Sequence, residues 1–255
     1  MKLAVTGKGG VGKSSIIALL ARVLKEEGKR VLAVDADPDM NLAGILGVPS
    51  STIITPIIEL KSLIAERTGT EVGQSAPFFT MNPKVDDIPE NYCVDFEGIK
   101  LMTMGTVRGG GAGCACPENA FLKQLISHLV LARDEWVLLD MEAGIEHLGR
   151  GTAIGVDLMI VVVEASGSSL ETAFRVRKLA GEIGIKRIGV IGNRIKNDME
   201  RTFIQENVKD IPLLGFIDYS EEMIKINLKE ESALTVDGSV VIQVREILEV
   251  LSSGN

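Results

Sequence analysis

The stretch Lys2-Leu-Ala-Val-Thr-Gly-Lys-Gly-Gly-Val-Gly-Lys-Ser14 decides the fold. It opens on an apolar run, passes through a glycine-rich turn and enters an apolar helical pattern. Its second part, Gly7-Lys-Gly-Gly-Val-Gly-Lys-Ser14, fits the phosphate-binding pattern G-x-x-x-x-G-K-[ST]. The chemistry accounts for each residue type. At Gly9, Gly10 and Gly12 no Cβ stops the backbone N–H groups from turning towards phosphate oxygens, and Val11 lies between them. The helix beginning near Lys13 aims its positive dipole end at the same anion. Lys13 brings a point charge to the β/γ-phosphates, Ser14 offers a hydroxyl to Mg²⁺, and Val11 and Ser15 are counted with them as nucleotide-binding.

Outward from this motif, short apolar runs alternate with helical patterns. The expected strands are Lys2–Thr6, Arg30–Asp35, Ile99–Met104, Trp136–Asp140, Leu158–Val163, Arg187–Gly192 and Leu213–Ile217. Many are rich in Val, Ile and Leu without polar alternation, as in strands covered on both faces. The expected helices are Ser14–Glu27, Pro117–Ala132, Ser168–Ile183, Met199–Asn207, Glu221–Lys229 and a last one over Val240–Leu251. Repeated βαβ units predict an α/β fold with a doubly wound, mostly parallel sheet, a P-loop NTPase in a single domain over residues 1–255. Ligands in such sheets bind at the carboxyl ends of the strands. Residues 50–95, with prolines at 56, 77, 83 and 89, read as an irregular, lid-like insertion.

The composition narrows the function classes. The 255 residues are 45% apolar, enough for a sizeable core, and carry a net charge of −8. There is no basic run of five or more, which argues against nucleic acid and anionic membranes as partners. The last helix has one basic residue, Arg245, against Glu246 and Glu249, and lacks the basic face of a membrane anchor. The chain enters a strand at once, so no signal peptide is expected and the location reads as cytoplasmic. Three cysteines, two of them in a C-x-C, suit metal or redox chemistry in a reducing compartment.

Lys8, inside the glycine-rich loop, cannot easily reach phosphates that its own loop wraps. With it, the run Lys8-Gly-Gly-Val-Gly-Lys13-Ser-Ser15 resembles the deviant Walker A motif. The family that carries this motif holds the nitrogenase iron protein, the MinD- and ParA-type ATPases and the arsenite-pump ATPase. There the extra lysine reaches across a dimer interface to the partner's nucleotide. The resemblance therefore implies an ATP-hydrolysing homodimer. It also implies a water-orienting role for Asp37 in Val34-Asp-Ala-Asp-Pro-Asp39, with Asp35 supporting Mg²⁺ and Asp39 a switch residue of unassigned role. Val137-Leu-Leu-Asp140-Met-Glu-Ala-Gly144 reads as a Walker B strand: Asp140 reaches Mg²⁺ and Gly144 offers its N–H to the γ-phosphate. Asn193, in Ile191-Gly-Asn193-Arg194, resembles the adenine-contacting asparagine of the family.

A second segment carries different chemistry. In Gly109-Gly-Gly-Ala-Gly-Cys114-Ala-Cys116-Pro117 an extended C-x-C points both thiols to one side. Pro117 starts a helix whose positive end favours thiolates. Soft metals want about four ligands. Cys93 reads as a small buried hydrophobe, His128 as a helix surface or core histidine, and His147 as structural or a switch contact. Two chains across a two-fold axis would supply Cys114, Cys116 and their mates, an S₄ site for a divalent ion, Zn²⁺ if tetrahedral or Ni²⁺ if square planar. The deviant Walker A, the Asp-Ala-Asp-Pro-Asp switch and this C-x-C together resemble the CooC-type ATPases, nickel-insertion accessory proteins of carbon monoxide dehydrogenase. That resemblance implies nickel and that client enzyme. Two alternatives stay open: a redox ATPase with an interfacial iron–sulfur cluster, like the nitrogenase iron protein, and a metal-free MinD/ParA-type spatial organiser.

Overall fold

The computed structural model describes residues 1–72, 78–105, 117–131, 135–142 and 155–253. Its strands are β1 (Lys2–Gly7), β2 (Val31–Asp35), β3 (Val94–Phe96), β4 (Ile99–Thr103), β5 (Trp136–Asp140), β6 (Leu158–Val163), β7 (Ile188–Ile195) and β8 (Leu213–Asp218). They form one eight-stranded sheet in the order β3-β4-β2-β5-β1-β6-β7-β8. Every pairing is parallel except β3 with β4. The helices are α1 (Lys13–Glu26), α2 (Leu42–Leu46), α3 (Lys61–Thr68), α4 (Ile88–Tyr92), α5 (Pro117–Leu131), α6 (Gly167–Ile183), α7 (Asp198–Asn207), α8 (Glu221–Leu228) and α9 (Ser239–Ser253). The single-domain, doubly wound P-loop architecture expected from the sequence is the observed one.

Burial on both faces explains the unbroken apolar strands. In β6, Met159, Val161 and Val163 join one core with Phe121 and Leu125 of α5 and Val176 of α6. Leu158, Ile160 and Val162 join the other, with Ile16 and Leu20 of α1 and Val244 and Leu248 of α9. At about 25 cal/mol per Å² of apolar surface removed from water, such a strand is held chiefly by the hydrophobic effect. Polar alternation would leave unpaired polar groups under a helix layer.

The seven predicted strands fall within one residue of those observed at every end but one: β7 runs three residues past Gly192, to Ile195. β3 was not anticipated. It folds back on β4 through Glu97 and Gly98, both at positive φ (52° and 80°), with the Asp95 carboxylate accepting the Gly98 N–H at 3.1 Å. Two consecutive positive φ values give the tight turn that fits a hairpin twist. Between residues 50 and 95 the chain also forms a 3₁₀ turn (Ile57–Glu59), α3 and α4. Ile57, Ile64, Val85 and Ile88 from this stretch are buried in the core beneath α5. Arg67 of α3 grips Asp87 with two nitrogens, at 3.0 and 2.8 Å, and so holds α3 to the start of α4.

Candidate functional site

The register of the sheet brings the site together. β1 lies between β5 and β6, with Val5 opposite Asp140 and Gly7 opposite Val162. On the other side of β5, Asp35 of β2 is in register with Asp140. Thus the glycine-rich loop after β1, the switch segment after β2 and the segment after β5 leave the sheet at one carboxyl edge. That is where a doubly wound sheet binds its ligands.

The loop cannot take this path with other residues. A Cβ on Gly7 (φ 151°) would lie 2.5 Å from the Val162 carbonyl oxygen, against backbone that cannot yield. Gly12 (φ 92°) is the residue before α1 in the left-handed region, and a Cβ there would meet Asn193 Nδ2 at 2.5 Å. The loop therefore packs tightly on its neighbours from below and leaves its upper side open. There Gly9, Gly10, Gly12, Lys13, Ser14 and Ser15 line a cavity of about 650 Å³, with Asp37 and Asp39 on its wall. The first N–H groups of α1 have no partners within the helix and face this end.

Charge in the cavity is arranged around three buried groups. Lys13 is 7% exposed, and its ammonium lies 3.2 Å from an Asp37 carboxylate oxygen. Asp35 is fully buried and accepts the N–H of Leu42 at 3.0 Å and of Asp37 at 3.3 Å, so it organises the segment after β2 and the start of α2. Burial raises its carboxyl to about 6 despite those two bonds. Asp140 is fully buried, and neither of its oxygens has a hydrogen-bond partner among the described residues. Burial raises it to about 7; the Ser14 hydroxyl and the Lys13 charge pull it down, while Asp35 and Asp37 push it up. Ser14 is near Asp140 without the geometry of a full hydrogen bond. An unpartnered buried carboxylate beside a hydroxyl and an ammonium is a place where positive charge is missing.

Asn193 is fully buried at the end of β7, beneath the loop rather than above it. Its Nδ2 donates to the Val11 carbonyl at 2.7 Å, and its Oδ1 has no partner among the described residues. Lys8 is exposed, with its ammonium 2.9 Å from Ser168 Oγ at the start of α6. Gly144, Cys114, Cys116 and His147 lie outside the described residues. Cys93 is half-buried against the core, and His128 is half-buried on α5.

Several lining residues carry no sequence motif. Glu142 reaches the cavity from the segment after β5, its carbonyl fixed by the Thr6 hydroxyl at 2.6 Å. Asn227 and Lys229 reach it from the end of α8. Ser15 donates to Asn227 Oδ1 at 2.9 Å, across 212 residues of chain, a pairing that no local pattern announces. Arg194, at φ 58°, pairs with Glu164 at 2.8 Å and also lines a second cavity of about 460 Å³ with Lys196, Tyr219, Ser220 and Met223.

This geometry agrees with the comparisons to known proteins. Residues 2–233 match the CobQ/CobB/MinD/ParA nucleotide binding domain. The chain is 49% identical over 221 residues to the carbon monoxide dehydrogenase accessory protein CooC of Rhodospirillum rubrum, covering 86% of this chain and 84% of that protein. The chain belongs to this nucleotide-binding ATPase family, with the CooC type as a relative. An ATP-binding protein of Methanocaldococcus jannaschii is 43% identical over 247 residues, covering 93% and 95% of the two chains. Among solved structures of the family, MinD in the Aquifex aeolicus MinC:MinD complex superposes with a TM-score of 0.73 at 21% identity, covering 99% of this chain and 95% of that one. The ParA family ATPase of Chlorobium tepidum gives 0.69 at 20% identity, covering 98% and 97%. At that identity these two likenesses speak for the fold alone. Among the described residues, no helix is long and apolar enough to cross a membrane.

Proposed function

We propose that the chain is a homodimeric, ATP-hydrolysing metallochaperone that carries a divalent metal, nickel, to carbon monoxide dehydrogenase. The observation that carries this reading is the 49% identity to CooC across most of both chains. The C-x-C of Cys114 and Cys116 supplies the chemistry: thiolates from two chains make a four-sulfur site for Ni²⁺ or Zn²⁺ as cargo.

The cavity supports a reading of the nucleotide chemistry. The loop N–H groups and the first turn of α1 hold the phosphates. A phosphate oxygen displaces Asp37 as the partner of Lys13, which frees the Asp37 carboxylate to orient the attacking water. That water attacks the γ-phosphorus, the bond to the bridging oxygen breaks, and ADP leaves with that electron pair. The water's protons end on phosphate and solvent. The pair Ser14 and Asp140 fits Mg²⁺, because both buried carboxylate oxygens lack a partner among the described residues. When bound, the ion supplies charge neutralisation for the transferring phosphoryl group. The base and ribose fit the adjoining 460 Å³ cavity, which shares Arg194 and Asn227 with the phosphate cavity. Gly144 in the second switch offers its N–H to the γ-phosphate. Lys8 leaves Ser168 and acts on the partner's nucleotide. The cellular location consistent with this role is the cytoplasm.

Equilibrium metal binding read together with oligomer mass tests the proposal. One Ni²⁺ or Zn²⁺ per two chains is expected, with dimerisation driven by metal and proton release from the thiols. Cys114→Ser or Cys116→Ser should abolish tight binding, with ATP hydrolysis largely intact. One ion per chain, retained in monomer, would rule out the shared site. A brown protein containing iron and sulfide would favour the redox reading instead.

A further inference from the structure

Among the described residues, three cations line the phosphate cavity: Lys13, Arg194 and Lys229. Two are already committed, Lys13 to Asp37 at 3.2 Å and Arg194 to Glu164 at 2.8 Å. Lys229 has no carboxylate partner among the described residues. Asp37, Asp39 and Glu142 line the same cavity, so an entering polyphosphate meets negative walls and needs an available cation.

The backbone holds Lys229 at some cost. It follows the last residue of α8 in the left-handed conformation (φ 59°, ψ 27°), and its N–H closes the helix on the Ile226 carbonyl at 3.1 Å. Glycine is the favoured residue there, since a side chain strains this conformation. A lysine adds to such a turn only what its ammonium can do. The far end of the side chain also has a seat. Nζ lies 2.9 Å from where a Cβ on Gly44 would stand, so the ammonium rests on the bare backbone of α2, the helix that follows the Asp37–Asp39 switch segment. Asn227, two residues before Lys229, is joined to Ser15 in the first turn of α1 at 2.9 Å. The end of α8 is thereby fixed to the helix that holds the phosphates.

We propose that Lys229 is a ligand of the nucleotide's phosphate chain, a cation presented from α8 across α2 that selects triphosphate and diphosphate over monophosphate. This rests on the nucleotide-site reading above. It extends that reading to a residue about 215 positions from the glycine-rich loop.

The test uses the full chain and the variant Lys229→Gly, which suits the left-handed backbone and so keeps or raises the melting temperature. ATP, ADP and AMP are titrated with Mg²⁺ by calorimetry. Loss of one charge-assisted contact should weaken ATP binding about tenfold and ADP binding by less, with AMP unchanged. Raising the salt concentration should shrink the difference between parent and variant, and Lys229→Arg should restore most of the affinity. Unchanged ATP affinity in Lys229→Gly, or an equal loss for all three nucleotides, would overturn the proposal. The parent's own titration separates the two levels: a parent that binds no ATP removes the nucleotide reading and the Lys229 role with it.

Discussion

Asp140→Asn should make the nucleotide-free protein more stable, and increasingly so as the pH rises. The Asp140 carboxyl is completely buried, has no hydrogen-bond partner among the described residues, and is raised by that burial from the ordinary 3.8 to about 7. A carboxyl whose folded value lies above its unfolded value binds its proton more tightly in the fold. It therefore opposes folding once the pH passes the unfolded value, and the loss is complete above the folded one. The difference between 3.8 and about 7 corresponds to an upper value of about 4 kcal/mol. Integrated between pH 5 and pH 8, somewhat more than half of this remains to be lost, about 2–3 kcal/mol. Asparagine does not titrate, so the stability gap between variant and parent should widen by that amount. For a chain of this size, about 2–4 °C per kcal/mol converts the gap into about 5–10 °C of melting temperature. Asp35, raised to about 6 in the same cluster, titrates in both proteins and largely cancels. The assay is thermal unfolding of both proteins without nucleotide or divalent ion at several pH values. Parallel curves from pH 5 to pH 8 would refute the reasoning that an uncompensated charge is stored at Asp140. With Mg²⁺ and ATP present, the order should reverse, because only the carboxylate can hold the ion.

Three further outcomes are expected. Lys13→Ala should abolish ATP hydrolysis, whereas Asp37→Asn should bind ATP and lose turnover; parent-rate hydrolysis by Asp37→Asn, measured as phosphate release, would remove Asp37 from its water-orienting role. Lys8→Ala chains mixed with Lys13→Ala chains should recover part of the activity, since an arginine-finger-like group in trans contributes roughly 10³–10⁵ in rate; no recovery in stable heterodimers would count against action across the interface. Asn193→Ala should leave the Val11 carbonyl without its donor and cost about 1–3 kcal/mol of stability. In that variant a lower melting temperature with an unchanged preference for ATP over GTP supports a loop-holding role, and the opposite pair of results supports contact with the base.

The sheet was legible because its signal is local. Apolar runs of five or six residues separated by helix-length segments can be buried on both faces in few ways, and parallel βαβ winding is the common one. β3 was missed because three residues, Val94-Asp-Phe96, are too short for a period, and its turn is Glu97-Gly98 rather than the more familiar Asn-Gly. The short helices α3 and α4 were hidden by reading prolines as marks of irregularity. Pro89 stands in the first turn of α4, where its missing N–H costs nothing.

The site divides along the same line. What a single loop can do by itself is written in consecutive residues, so Gly9 to Ser15, Asp35, Asp37 and Asp140 could be picked out from the chain alone. What the site needs from elsewhere arrives through tertiary packing. Asn227 and Lys229 come from the end of a helix with no motif. Glu142 was visible only as a residue after Asp140. Asn193 shows how one residue can fit two roles: its amide matches adenine in hydrogen-bonding capacity, and it matches the Val11 carbonyl equally well. Chemistry alone leaves both open; the nucleotide-free structure pairs the amide nitrogen with the Val11 carbonyl, and the Asn193→Ala measurement above separates the two roles. The Gly12 contact sharpens the point. Because a Cβ at Gly12 would strike the Asn193 amide, the two residues form one packing unit, and the glycine of the motif is required from below by Asn193 as well as from above by the phosphate. Gly12→Ala should therefore lower the melting temperature of the nucleotide-free protein. A variant that melts like the parent would show that the loop can yield, and that the motif glycine answers to the ligand alone.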